Sequence, residues 1–204
     1  LANLLNEAAL ISARKSKSLI GPGDIDDAMI KITVGTQKKK ANIKPEEKRK
    51  TAYHEAGHAI LAHLLPTQDP VRQISIIPSG RALGYTLNPP TEDKYSVYKS
   101  ELCENIMMLL GGRAAEEIVY GDVSGGASND IMRATQTARK MVTELGMSDV
   151  IGNVRLGSDR DDGEVFLGRD FNSTVNYSDT TASLIDSEIK KIIDEAYMKA
   201  KALL

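Results

Sequence analysis

Two prolines, Pro45 and Pro66, bracket about twenty residues of helical pattern ending in "TAYHEAGHAILAHLLP", and this one helix constrains what the rest of the chain can be. Glu46 and Glu47 stand near its positive end, and Tyr53, Gly57, Ile60 and Leu64 recur at the spacing of a packing stripe. Residues four apart on a helix are separated by about 400 degrees, so His54 and His58 project from nearly the same face, one turn apart. Two imidazoles so placed can grip one metal ion. Glu55 is rotated about 100 degrees from His54, beside the metal rather than on it, where its carboxylate can take a proton from water. His63 follows His58 by five residues, off that face, and reads as an ordinary helix residue.

A catalytic zinc ion keeps three protein ligands and one open position. A further histidine shortly downstream would complete one such pattern, but Leu61 and Leu64 stand where glycine and histidine would be required, so the third ligand must be a carboxylate. Three compete: Glu116 and Glu117 in "GGRAAEEIVYG", and Asp130 in "GGASNDIMRAT". Asp130 ranks first, because it falls in the first turn of a helix, where free backbone N–H groups and the helix dipole favour an ionised side chain. The glutamates could instead hold a histidine ring by its other N–H, and an exposed or structural role fits either of them as well.

The surroundings are mostly helical. "LANLLNEAALISARKS" and "IDDAMIKITV" read as two helices around the turn "GPGD", with Asp24 as the expected N-cap of the second. "KSELCENIMMLLGGRAAEEIVYG" is helical despite Gly111 and Gly112. Each glycine costs about 1 kcal/mol relative to alanine, a cost most easily offset where another backbone packs closely. "SNDIMRATQTARKMVTELG" is a helix with Ser128 as its expected cap and Gly146 at its close. A last amphipathic helix runs from about Asp179, with Ile185, Ile189, Ile192, Ala196 and Ala200 on one face. Alternation in "VRQISIIPSGRALGYTL" predicts a hairpin around "PSG", the only sheet expected. Residues 149–177 read as loops with short strands.

Composition removes several function classes. The formal charge of −2 over 204 residues argues against nucleic acid, although basic residues cluster between Lys38 and Lys50 in what reads as a solvated linker. Cys103 is the single cysteine, so no internal disulfide forms, and its apolar helical setting predicts an inert thiol. No run reaches the length of a membrane span, and no G-x-x-x-x-G-K-S/T phosphate loop occurs. "DRDDGEVFLGRD" departs from a calcium loop in the place of its glycine and in ending on Asp170.

"HEAGHA", "ALGYT", "LLGGRAAEEIVYGDVSGGASNDI", "ELGMSD" and "FLGRD", in that order, resemble the peptidase domain of the FtsH family of membrane-anchored, ATP-dependent zinc proteases. "LANLLNEAAL" with "DIDDAMIKITVGT" is similar to the end of the helical lid of that family's AAA+ ATPase module. The resemblance implies one zinc ion per chain held by His54, His58 and Asp130, with Glu55 as the base. "SGGASND" departs from the threonine that many members carry before the glycine, which leaves the ligand position intact.

The fold expected is therefore mainly α: a helical zinc-peptidase domain with a small β-sheet over residues 45–204, a linker over 37–44, and the C-terminal part of an AAA+ lid over 1–36. The function expected is endopeptidase action on unfolded or membrane-extracted proteins. The resemblance further implies a homo-hexamer, use of ATP only through an ATPase module outside this chain, and attachment through a segment outside it to a bacterial inner membrane, with this domain on the cytoplasmic side. The alternative expectation is a non-catalytic ring-assembly domain whose metal site is structural; a closed four-coordinate site would favour it.

Overall fold

The computed structural model describes residues 1–38, 43–80, 82–157 and 177–204. The calcium-like stretch 159–170, "FLGRD", most of the loop 149–177 and the centre of the linker lie outside the described residues. Six α-helices and one two-stranded sheet are described: α1 (Ala2–Arg14), α2 (Pro22–Val34), α3 (Pro45–Leu64), β1 (Gln73–Ser75), β2 (Tyr85–Leu87), α4 (Lys99–Tyr120), α5 (Ser128–Thr143) and α6 (Asp179–Leu203). The mainly α expectation holds.

Helix α4 is the centre of the molecule and packs against α3, α5 and α6. Its buried run from Ile106 to Leu110 meets Leu61 and Leu65 from the α3 end, Met141 and Val142 of α5, and Ile185 and Ile189 of α6. Each fully buried aliphatic side chain contributes about 1.5–3 kcal/mol, so this shared core, and no single helix, holds the elements together. The α6 stripe is as expected, with Ile185, Ile189, Ala196 and Ala200 all buried.

Glycine decides how closely α3 and α4 approach. A Cβ placed on Gly57 would lie 2.3 Å from the Gly111 carbonyl oxygen, and one on Gly111 would lie 2.8 Å from that of Gly57. The helices cross backbone to backbone there, which offsets the helix-propensity cost of Gly111. The stripe expected on α3 needs correction: Gly57 is buried, but Ile60 and Leu64 are about half exposed, and the inner face carries Glu55, Leu61 and Ala62. Polar site residues occupy part of that inner face, so apolar periodicity points the wrong way.

Two caps also differ from expectation. Helix α2 starts at Pro22 with Gly21 as N-cap, and Asp24, inside the first turn, accepts the Gly21 N–H at 3.0 Å. Helix α5 has no side-chain cap at Ser128; it continues from a 3-10 turn at Gly125–Ala127 whose cap is Ser124, which accepts the Gly126 N–H at 3.1 Å.

The hairpin forms with Gln73 opposite Leu87, Ile74 opposite Thr86 and Ser75 opposite Tyr85, shorter than the alternation suggests. Pro78 lacks an N–H, and the turn pairs with the segment that follows α2 instead: the Lys38 N–H donates to the Pro78 carbonyl at 2.7 Å and the Gly80 N–H to the Thr36 carbonyl at 3.3 Å. Gly35, at φ +98°, makes room, since its Cβ would lie 3.1 Å from the Gly80 Cα. Arg72 reaches Asp26 of α2 at 2.6 Å, a second tie between the α1–α2 pair and the hairpin.

Candidate metal centre

The helix crossing places three side chains around one point. His54 and His58 turn their Nε2 atoms toward each other, 3.1 Å apart, and Asp130 Oδ2 lies 3.4 Å from the first and 3.5 Å from the second. His54 and His58 come from α3, and Asp130 from the first turn of α5. His63 is exposed and takes no part.

The far side of each ring determines where its proton sits. His58 Nδ1 is 2.8 Å from the Met108 carbonyl oxygen, which can only accept, so Nδ1 carries a proton and Nε2 is the ring atom left to face a metal. His54 Nδ1 is 2.8 Å from Glu116 Oε1, and the same reasoning applies. Two imidazole Nε2 atoms and a carboxylate oxygen thus converge on one point, a group that could hold a metal ion. Bond lengths of about 2.0–2.2 Å to a tetrahedral zinc ion would separate its ligand atoms by about 3.3 Å, which the observed 3.1–3.5 Å matches. Among the described residues these three form the one group of possible metal ligands.

Both glutamates lie outside that group. Glu116 is buried and orients His54 while its carboxylate accepts the Ser124 N–H at 2.8 Å and the Ser124 hydroxyl at 3.1 Å. It therefore ties α4 to the loop that leads into α5 and Asp130. Glu117 faces the other way, to Tyr197 and to Lys201 at 2.8 Å, and pins α4 to α6.

Electrostatics follow from burial and these contacts. Burial raises the Asp130 carboxyl, but hydrogen bonds from His54 and His58 outweigh it and hold the group below the usual carboxylate range. Burial lowers His54, yet Asp130 and Glu116 bring it above its ordinary value. Glu55 is raised, chiefly by burial and against a hydrogen bond from Thr86. Cys103 is raised by burial, as an inert thiol should be. The site opens into a cleft of about 1090 Å³ lined by His54, Glu55, His58, Thr86 and Asp130 among others.

This geometry agrees with what the chain is similar to. Residues 41–204 match the model of peptidase family M41. The chain belongs to peptidase family M41. It is 50% identical over 205 residues to the ATP-dependent zinc metalloprotease FtsH 3 of Symbiobacterium thermophilum, covering 100% of this chain and 32% of that protein. It is 52% identical over 202 residues to FtsH 2 of Alkaliphilus metalliredigens, covering 99% and 29%. With the FtsH of Thermotoga maritima it shares 49% identity over 205 residues, covering 100% and 33%. The M41 chain thus spans about a third of the length of these relatives, all named as zinc metalloproteases, and its donor set fits zinc.

Three features of the M41 site escaped sequence reasoning: Met108 supplies a backbone carbonyl, Ser124 supports Glu116, and Thr86 reaches Glu55 from 31 residues away. No linear spacing links them to the histidines. "ALGYT" marked the segment but not the role of its threonine.

Proposed function

We propose that this chain is a zinc-dependent endopeptidase domain, with His54, His58 and Asp130 as the metal ligands and Glu55 as general base and acid. The carrying observation is the convergence of two imidazole Nε2 atoms and a carboxylate oxygen, 3.1–3.5 Å apart, beside the buried carboxylate of Glu55. Bound zinc supplies Lewis acidity, polarising a carbonyl and making water more acidic. Glu55 takes one proton from the attacking water as its oxygen bonds to the scissile carbonyl carbon, then returns that proton to the amine nitrogen as the C–N bond breaks. Met108 and Glu116 hold the two imidazoles in the tautomer that leaves Nε2 free. A three-donor set supports this over the structural-metal alternative.

The rest of the reading follows from the relatives' printed names and the resemblance. Residues 1–36 are the C-terminal part of an AAA+ lid, 37–44 a linker and 45–204 the peptidase domain. Half-exposed Leu5, Leu10 and Ile32 on α1 and α2 support a helical pair that belongs against a larger module. The substrates are unfolded or membrane-extracted proteins, delivered by an ATP-driven homo-hexamer anchored in a bacterial inner membrane with this domain on the cytoplasmic side. Among the described residues no helix is long and apolar enough to cross a membrane.

The test is zinc content together with cleavage of casein, with and without a chelator, in wild type and Glu55→Gln. The expected result is about one zinc per chain, chelator-sensitive cleavage, and a loss of about 100-fold or more in Glu55→Gln with zinc retained. Cleavage by Glu55→Gln within a few fold of wild type would sink the assignment.

A further inference from the structure

A general base works only if its carboxylate presents one oxygen to water in a fixed pose, and a glutamate has three rotatable bonds with which to lose that pose. Glu55 is constrained from outside its own helix. The Thr86 hydroxyl is 2.8 Å from Glu55 Oε2 and 3.1 Å from the Glu55 backbone oxygen. A hydroxyl has one proton to give, and the shorter contact to a charged acceptor takes it. Two residues earlier, on the same side of the strand, Gly84 closes the other flank: a Cβ there would lie 2.9 Å from Glu55 Oε1, 2.7 Å from the Ser75 oxygen and 2.7 Å from Thr51 Cγ2. Among the described residues no hydrogen bond reaches Oε1, so one carboxylate oxygen is held and the other is left available.

We infer that Thr86 is a positioning residue for Glu55, its hydroxyl holding Oε2 while the bare Gly84 backbone seats Oε1, so that strand β2 sets the orientation of the base. This rests on the peptidase reading above. Thr86 does not touch the reacting atoms; it acts through Glu55. The pairing of β2 with β1 at Ile74 and Ser75 then matters to chemistry as well as to folding, because register places Thr86 over the carboxylate.

The experiment compares wild type, Thr86→Val and Thr86→Ser. Valine keeps the shape and removes the hydroxyl, and serine restores the hydroxyl without the methyl group. With an internally quenched peptide as substrate, Thr86→Val is expected to lower kcat by about 10- to 100-fold with KM within about twofold and zinc content unchanged. Thr86→Ser is expected to recover to within about threefold of wild type. A second readout needs no activity: in zinc-free protein, the change in melting temperature caused by Thr86→Val should shrink when Glu55 is replaced by alanine, because the two side chains share one interaction. Wild-type kcat in Thr86→Val, a Thr86→Ser as impaired as Thr86→Val, or strictly additive melting shifts would each overturn the positioning role while leaving the peptidase reading standing. A wild-type chain without chelator-sensitive hydrolysis overturns the peptidase reading, and the positioning role with it.

Discussion

Replacing Gly112 with alanine adds one methyl group against His54, a proposed metal ligand. A Cβ at this position would lie 2.5 Å from both Cε1 and Nε2 of His54 and 2.7 Å from Cδ2. Ordinary contact between such atoms begins at about 3.5 Å, so the ring must retreat by about 1 Å. It is not free to do so, because Glu116 holds its Nδ1 and the backbone crossing at Gly57 and Gly111 fixes the helix that carries it. Two effects oppose each other. Alanine is favoured over glycine in a helix interior by about 1 kcal/mol, whereas crowding a packed site costs about 1–3 kcal/mol. In the metal-free fold the ring can yield only by giving up its Glu116 contact, so crowding wins by up to about 2 kcal/mol. Zinc binding tolerates less still, because moving a ligand nitrogen by about 1 Å is half a bond length. Metal affinity is therefore expected to fall by about 10- to 100-fold, the range seen when the groups supporting a ligand are disturbed. Competition with a chromogenic chelator measures the affinity, and thermal unfolding with and without zinc separates it from the fold. Zinc affinity within twofold of wild type, with the helical content intact, would refute the claim that Gly112 is there to seat His54.

Two further predictions concern carboxylates. Asp130→Ala should abolish zinc retention, Glu116→Ala should weaken it by about 10- to 100-fold, and Glu117→Ala should leave it unchanged while loosening α4 from α6; metal analysis after dialysis checks all three. Asp24 is buried, and the Gly21 N–H, Lys15 and Lys17 hold its carboxyl below the ordinary range. A depressed folded value means that its stabilising contribution is full above about pH 4 and is lost as pH falls toward the folded value, so the α1–α2 pair should loosen in acid before the peptidase core does. Hydrogen exchange at pH 7 and pH 3 reads this directly, and Asp24→Asn, already lacking the charge, should show a smaller difference between the two.

The helix that carries the proposed metal ligands was legible in the sequence because its pattern is local: His54, Glu55 and His58 owe their relation to the pitch of one helix, and the prolines mark its ends. The first-turn position of Asp130 was legible for a similar reason, since a helix start is a property of a few consecutive residues. The family match rests on the same kind of ordered short motifs. What only the tertiary structure decided lies between elements. Glu116 and Glu117 are adjacent in the chain, yet one steadies His54 and the other pairs with α6, because neighbours on a helix point about 100 degrees apart and only packing says toward what. The inner face of α3 was misread for the same reason: a buried Glu55 is tolerated where Thr86 and the metal ligands surround it, and no apolar count along one helix registers partners on another. Thr86, Ser124 and the Met108 carbonyl had no linear signal at all. Spacing along a chain encodes direction within one rigid element, whereas the contacts between elements are set by how their surfaces fit, and here that fit is decided by glycines whose missing side chains let α3, α4 and β2 close around the site.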